Sequence, residues 1–141
     1  MKTKFPLVTA VPSRTIKITS WVLRILAAAA FLTAGGAKLA GVPMMVGIFD
    51  QIGIGQWFRV VTGLVEVIGG IAILVPTTAG LGGLWLAVTM FFAVLTHLFI
   101  IGGNPVPALI LLFITIVVTW LHRANLKHML TRLGLSWLSR V

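Results

Sequence analysis

Four stretches of this chain are apolar for long enough to cross a lipid bilayer, and nothing else in the sequence limits its fold as strongly. About 20 helical residues span the hydrocarbon core. The stretches run roughly from Trp21 to Ala40, Trp57 to Val75, Leu81 to Ile101 and Val106 to Leu121. Composition agrees. Of 141 residues, 59% are hydrophobic and only 9% charged, against about 25% charged in an ordinary soluble domain. A soluble domain this small stays rich in surface and could not hide that much apolar area. The expected fold is therefore all-α: a polytopic four-transmembrane-helix bundle.

Glycine and proline mark the breaks. Gly41-Val42-Pro43 closes the first stretch, Pro76-Thr77-Thr78 the second, and Gly102-Gly103-Asn104-Pro105 the third. Gly80, Gly82 and Gly83 read as loop or close-packing residues. The short second and third connections imply antiparallel neighbours.

Charge sets the orientation. The net charge is +9, from eleven Lys and Arg against two acids. Lys2, Lys4, Arg14 and Lys17 precede the first stretch, and Arg123, Lys127, Arg132 and Arg140 follow the fourth. By the positive-inside bias both termini are expected in the cytoplasm, with the chain in the cell's inner membrane. No nucleic-acid motif accompanies the basic excess, so nucleic acid is not an expected partner. The expected divisions are a basic cytoplasmic segment at 1–20, the transmembrane domain at 21–123 and a cytoplasmic tail at 124–141. A cleaved signal peptide fits poorly, because Arg24 interrupts the apolar run and cleavage would cut into a span. Arg24 is expected to snorkel to the cytoplasmic headgroups.

Two segments read as interfacial. Met44 to Trp57 mixes apolar side chains with Asp50 and Gln51, as in a short re-entrant or surface helix. In the tail, Leu126, Met129, Leu130, Leu133, Trp137 and Val141 recur at helical spacing, with Lys127, His128, Arg132 and Ser136 mostly off the stripe. A basic amphipathic helix of this kind lies on an anionic leaflet. Gly134 would weaken it by about 1 kcal/mol.

Charged groups within a span cost roughly 2.5 to 3.5 kcal/mol each and tend to face the protein interior. Lys38, Arg59, Glu66 and His97 are the candidates. Glu66 is the only acid in any span. It shares a helical stripe with Arg59, Gly63 and Gly70, and glycines let a neighbouring helix approach closely. Glu66 is thus either a proton-active or ligand-binding carboxylate or a structural tie to another helix. His97 lies roughly 8 Å along the membrane normal from the Glu66 level at 1.5 Å per residue, so a Glu66–His97 pair is expected. Lys38 and Arg59 either snorkel to the outer headgroups or join a polar cluster there. Ala27, Ala30, Ala34, Ala37 and Gly41 form a small-residue stripe beside Lys38. One histidine in the spans cannot supply both axial ligands of a b-type haem, and a Glu–His pair is too sparse for a metal. The chain has no cysteine, so it performs no thiol step itself.

The segment from Phe31 through Gly35, Gly36, Lys38 and Leu39 resembles the first block of DoxX-like membrane proteins. Gly63-Leu64-Val65-Glu66 with Gly69 and Leu74-Val75-Pro76 resembles the second block, and Met90, Ala93, Thr96 and His97 the third. The resemblance spans about Trp21 to Arg123. It implies a four-helix membrane bundle and, less narrowly, a subunit of a membrane redox assembly, a member of a thiol-stress complex or an assembly chaperone. On that footing the first expectation is a small redox-assembly subunit with a pocket for a non-covalent quinone. Glu66 and His97 would handle protons, and Lys38 and Arg59 would bind the ligand. The rivals are a non-enzymatic scaffold that packs on itself or on a larger membrane complex, and a proton-coupled or anion carrier.

Overall fold

A computed structural model describes residues 13–135, and within them every regular element is helical. The first helix, α1, runs Arg14–Leu39. Ser13 caps it, its hydroxyl oxygen accepting the Ile16 N–H, which satisfies one of the unpaired donors of a helix start. The helix therefore begins before the apolar stretch does. It ends where Gly41 adopts φ +67°. Gly41 N–H then donates to Lys38 O, and Val42 N–H to Ala37 O, the bond pair of a Schellman stop.

The expected short helix follows: α2 spans Pro43–Ile52 and ends at a left-handed Gly53. Trp57 belongs instead to α3, Gln56–Leu74. Pro76 holds Val75 extended and so ends α3, because the residue before proline avoids the helical region. The next helix, α4, covers Ala79–Thr96 and widens into a π-helical turn at His97–Ile101. Beyond the Gly102–Pro105 break, α5 runs Val106–Leu121 and α6 Arg123–Arg132, with a 71° bend between them.

Three helices are long and apolar enough to cross a membrane: α1, α3, and α4 with its π extension. With 16 residues, α5 is only about 24 Å long, and it qualifies as a span only together with α6. The described residues thus hold three to four candidate spans.

Pairwise, α1 packs on α3, α3 on α4, α4 on α5 and α5 on α1, while α2 lies against α3 and the π turn. Phe31, Ile73, Leu86 and Val118 are fully buried between them. Large apolar side chains such as Phe92, Phe99 and Phe113 point outward, as suits a lipid environment. Glycines set the close approaches. A Cβ on Gly82 would come within 2.9 Å of the Ile73 nitrogen, and one on Gly83 within 2.6 Å of the Thr119 hydroxyl. So Gly80, Gly82 and Gly83 are helical close-packing residues, not loop. Thr62, Thr89, Thr96, Thr115 and Thr119 donate their hydroxyls to carbonyls one turn back, which leaves no polar hydrogen stranded among apolar neighbours.

The tail departs from expectation in one respect. In α6, Leu126, Met129 and Leu130 turn partly inward while Lys127, His128 and Arg132 are exposed. However, the helix stops at Arg132, because Gly134 takes φ +75° and closes a second Schellman stop through Thr131 and Leu130. Gly134 terminates this helix instead of merely weakening it. The remaining stripe residues, Trp137 and Val141, lie outside the described residues, as do Ser136, Arg140, Lys2 and Lys4.

Candidate functional site: a paired-charge network between the first and third helices

On an α-helix, side chains lean toward the N-terminus. The helices α1 and α3 run antiparallel, so the charged side chains of each lean toward the other's C-terminal half. Lys38 stands in the last turn of α1 and leans back along it. Glu66 stands in the middle of α3 and leans toward that helix's start. They meet: Lys38 Nζ donates to Glu66 Oε2 at 2.7 Å, with the two side chains 14% and 6% exposed.

The close crossing beneath the pair depends on Gly35 and Gly63. A Cβ on Gly35 would lie 2.8 Å from Gly63 O and 3.1 Å from Glu66 Cβ. A Cβ on Gly63 would lie 3.0 Å from Leu39 and 3.1 Å from Gly35 O. The stripe of Gly63, Glu66 and Gly70 therefore faces α1, as its spacing implies. On α1, though, the closest approach runs through Gly35, which the small-residue stripe omits.

The network continues outward. Arg59 donates from Nη1 to Lys38 O and from Nε to Gln56 Oε1 at 2.6 Å. Gln56 Nε2 in turn donates to Asp50 Oδ1 at 2.7 Å and to Val46 O at 2.9 Å. The two acids of the whole sequence thus close the two ends of one chain of polar contacts. Between them lie Lys38 and Arg59, so the four formal charges cancel.

Arg59 also does for α1 what Arg24 does for α3. Arg59 binds a carbonyl in the last turn of α1. Arg24 donates from Nε to Ile73 O at 2.6 Å and from Nη2 to Leu74 O, binding the last carbonyls of α3. A cation is favourable at a helix C-terminus, where carbonyls lack partners. Each of the two helices therefore carries an arginine that caps the other. Arg24 was expected to snorkel; instead it is 2% exposed, stacked 4.2 Å from the Trp21 ring. Antiparallel pairing places α3's end beside it, where two carbonyls accept its N–H groups. Lys38 and Arg59 likewise turn inward to protein partners.

No hydrogen bond joins His97 to Glu66, with which a pair is expected; the partner of Glu66 is Lys38. His97 opens the π turn, and its Nδ1 is buried without a hydrogen-bond partner among the described residues, close to Gly103, whose Cβ would lie 3.1 Å from it. Its turn packs on α2 and α4. Position along a helix sets a residue's level but not the neighbour its face meets. His122, by contrast, forms a tie: its Nδ1 lies 3.1 Å from Val118 O and its Nε2 3.5 Å from the Ser20 hydroxyl, which joins α5 to α1.

Two surface grooves stand apart from these residues. One lies between α6 and the α3–α4 turn, the other along α3 and α4 around Trp85. Among the described residues no three His, Asp or Glu side chains gather to hold a metal ion.

The Gly35–Lys38 and Gly63–Glu66 segments that make the crossing are also the blocks carrying the family resemblance. A family model described as DoxX-like matches residues 22–122. The chain belongs to the DoxX-like family. The match takes in α1 from its third turn onward, all of α2 to α5, and the Lys38–Glu66 pair. No curated protein and no solved structure matches this DoxX-like chain.

Proposed function

We propose that this DoxX-like protein is a non-enzymatic scaffold subunit of a membrane assembly. Its helices form a four-span bundle in the inner membrane with both termini in the cytoplasm, and α6 lies along the cytoplasmic surface. The transmembrane domain is 21–123, between the basic segment 1–20 and the tail 124–141. The observation that carries the reading is the charge balance: Glu66 is paired with Lys38, Arg59 binds the end of α1, and Asp50 accepts from Gln56. A carboxylate held by a lysine at 2.7 Å ties two helices together. Meanwhile the outward faces are large and apolar, available to a neighbouring protein as much as to lipid.

The redox-subunit reading retains one observation in its favour, the unpartnered Nδ1 of His97 in a π turn, a feature that recurs at functional sites. A quinone carbonyl accepting from that nitrogen would satisfy it.

Native mass spectrometry of the protein extracted in mild detergent separates the two readings. A scaffold is recovered with stoichiometric protein mass, a second copy or a larger chain, and no quinone. A stoichiometric quinone adduct lost in His97→Ala would replace this proposal with the redox one.

A further inference from the structure

At the end of the molecule opposite the charge network, the first turn of α4 meets α6. The α5–α6 corner comes so close there that a Cβ on Gly80 would lie 2.9 Å from His122 O. A groove of about 570 Å³ opens beside this contact, with Thr77 and Thr78 of the α3–α4 turn on one side and Asn125, His128, Met129 and Arg132 of α6 on the other. The Thr78 hydroxyl holds the turn by donating to Ala72 O at 2.7 Å, and Asn125 Nδ2 ties α6 to it by donating to Pro76 O at 3.1 Å. His128 and Arg132 are different: they make no side-chain hydrogen bond among the described residues, and both are exposed.

The charge around the groove is uncompensated. Both acids of the sequence are bound into the network at the far end. Arg14, Lys17, Arg123, Lys127 and Arg132 all lie toward the groove end, in the first turns of α1 and along α6. The apolar contribution of Met129 and Leu133 beside His128 and Arg132 makes the groove amphiphilic. Trp120, stacked 4.5 Å from Arg123, sits at the same level, as tryptophans do at a membrane boundary.

We propose that this groove is a binding site for the phosphate headgroup of an anionic phospholipid, with Arg132 and His128 facing the phosphate and Met129 and Leu133 facing the glycerol and upper acyl chain. Basic pockets at the ends of membrane helices bind such headgroups, and each well-placed Lys or Arg contributes about 1 kcal/mol, a factor of roughly five. The inference rests on the helices spanning a bilayer, not on the scaffold reading, and holds whichever assembly the chain joins.

The test uses the full chain in vesicles of phosphatidylcholine doped with phosphatidylglycerol, extracted gently, with retained lipids counted by native mass spectrometry. The wild type should retain phosphatidylglycerol over phosphatidylcholine. Arg132→Gln should cut that retention about fivefold, and His128→Gln should lower it too. Lys127→Gln removes the same charge outside the groove and should lower retention clearly less than Arg132→Gln. Circular dichroism and thermal melting report whether each variant is folded. Should Arg132→Gln not fold, His128→Gln against Lys127→Gln decides in the same way. Equal losses in the groove and control variants, or no loss in the groove variants, would mean diffuse attraction and overturn the site. Displacement of the lipid by millimolar inorganic phosphate would assign the groove to the free anion and overturn the lipid proposal.

Discussion

If Lys38 and Glu66 are a structural tie, removing one should harm the protein more than removing both. The pair is 2.7 Å apart with its side chains 14% and 6% exposed, so either group left alone is an unpaired charge among apolar neighbours. Breaking a buried pair from one side costs about 3 to 5 kcal/mol, whereas replacing both members with apolar residues of similar volume is often near neutral. Lys38→Met and Glu66→Leu should therefore each destabilise by about 3 kcal/mol, and the double variant by about 1 kcal/mol or less. The interaction energy of the cycle would be large and of opposite sign to the single losses. Glu66→Gln, which keeps an acceptor for Lys38, should fall between wild type and Glu66→Leu. The assay is reversible unfolding in mixed micelles of dodecylmaltoside and dodecyl sulfate, followed by circular dichroism. Single losses below about 1 kcal/mol that simply add in the double variant would refute the reasoning.

Other expectations are simpler. Arg24→Leu strips the caps from Ile73 and Leu74 and should cost about 1.5 to 3 kcal/mol. Arg24→Lys should recover only part, since an ammonium cannot serve two carbonyls as a planar fork does; the same unfolding assay measures both. Gly35→Ala forces a methyl to within 2.8 Å of Gly63 O and should cost about 1 to 3 kcal/mol, read as a lower melting temperature, while Gly36→Ala, with open space around it, should be nearly silent. Alkaline phosphatase, active only outside the cytoplasm, should be inactive when fused to the C-terminus; strong activity would place that end on the other side.

The helices were legible because their signals are local: apolar length, Gly41 at the stop of α1, Pro76 after α3; the stop of α2 at Gly53 was not read. The facing of Glu66 toward another helix was also legible, from Gly63 and Gly70 on its stripe. Its partner was not. Depth along the membrane selected His97, but residue spacing says nothing of which face of α4 meets α3. The lean of side chains toward each helix's N-terminus carries the missing information. Applied to antiparallel α1 and α3, it brings Lys38 to Glu66 and Arg24 to the end of α3. Snorkelling was the wrong expectation for Arg24, because it weighed the cation against headgroups and not against carbonyls left open at a neighbouring helix end. Gly134 was read for its helix propensity, when its left-handed backbone made it a stop.

If Glu66 serves the fold and not proton chemistry, the two members of the pair should be exchangeable. The variant K38E/E66K keeps an acid and a lysine face to face but moves the carboxylate to α1. Its native mass spectrum, compared with that of the wild type and of Glu66→Leu, should show the same associated protein mass as the wild type, with the melting temperature largely restored from that of Glu66→Leu. A folded K38E/E66K protein that has lost a quinone or other small ligand carried by the wild type would contradict the claim.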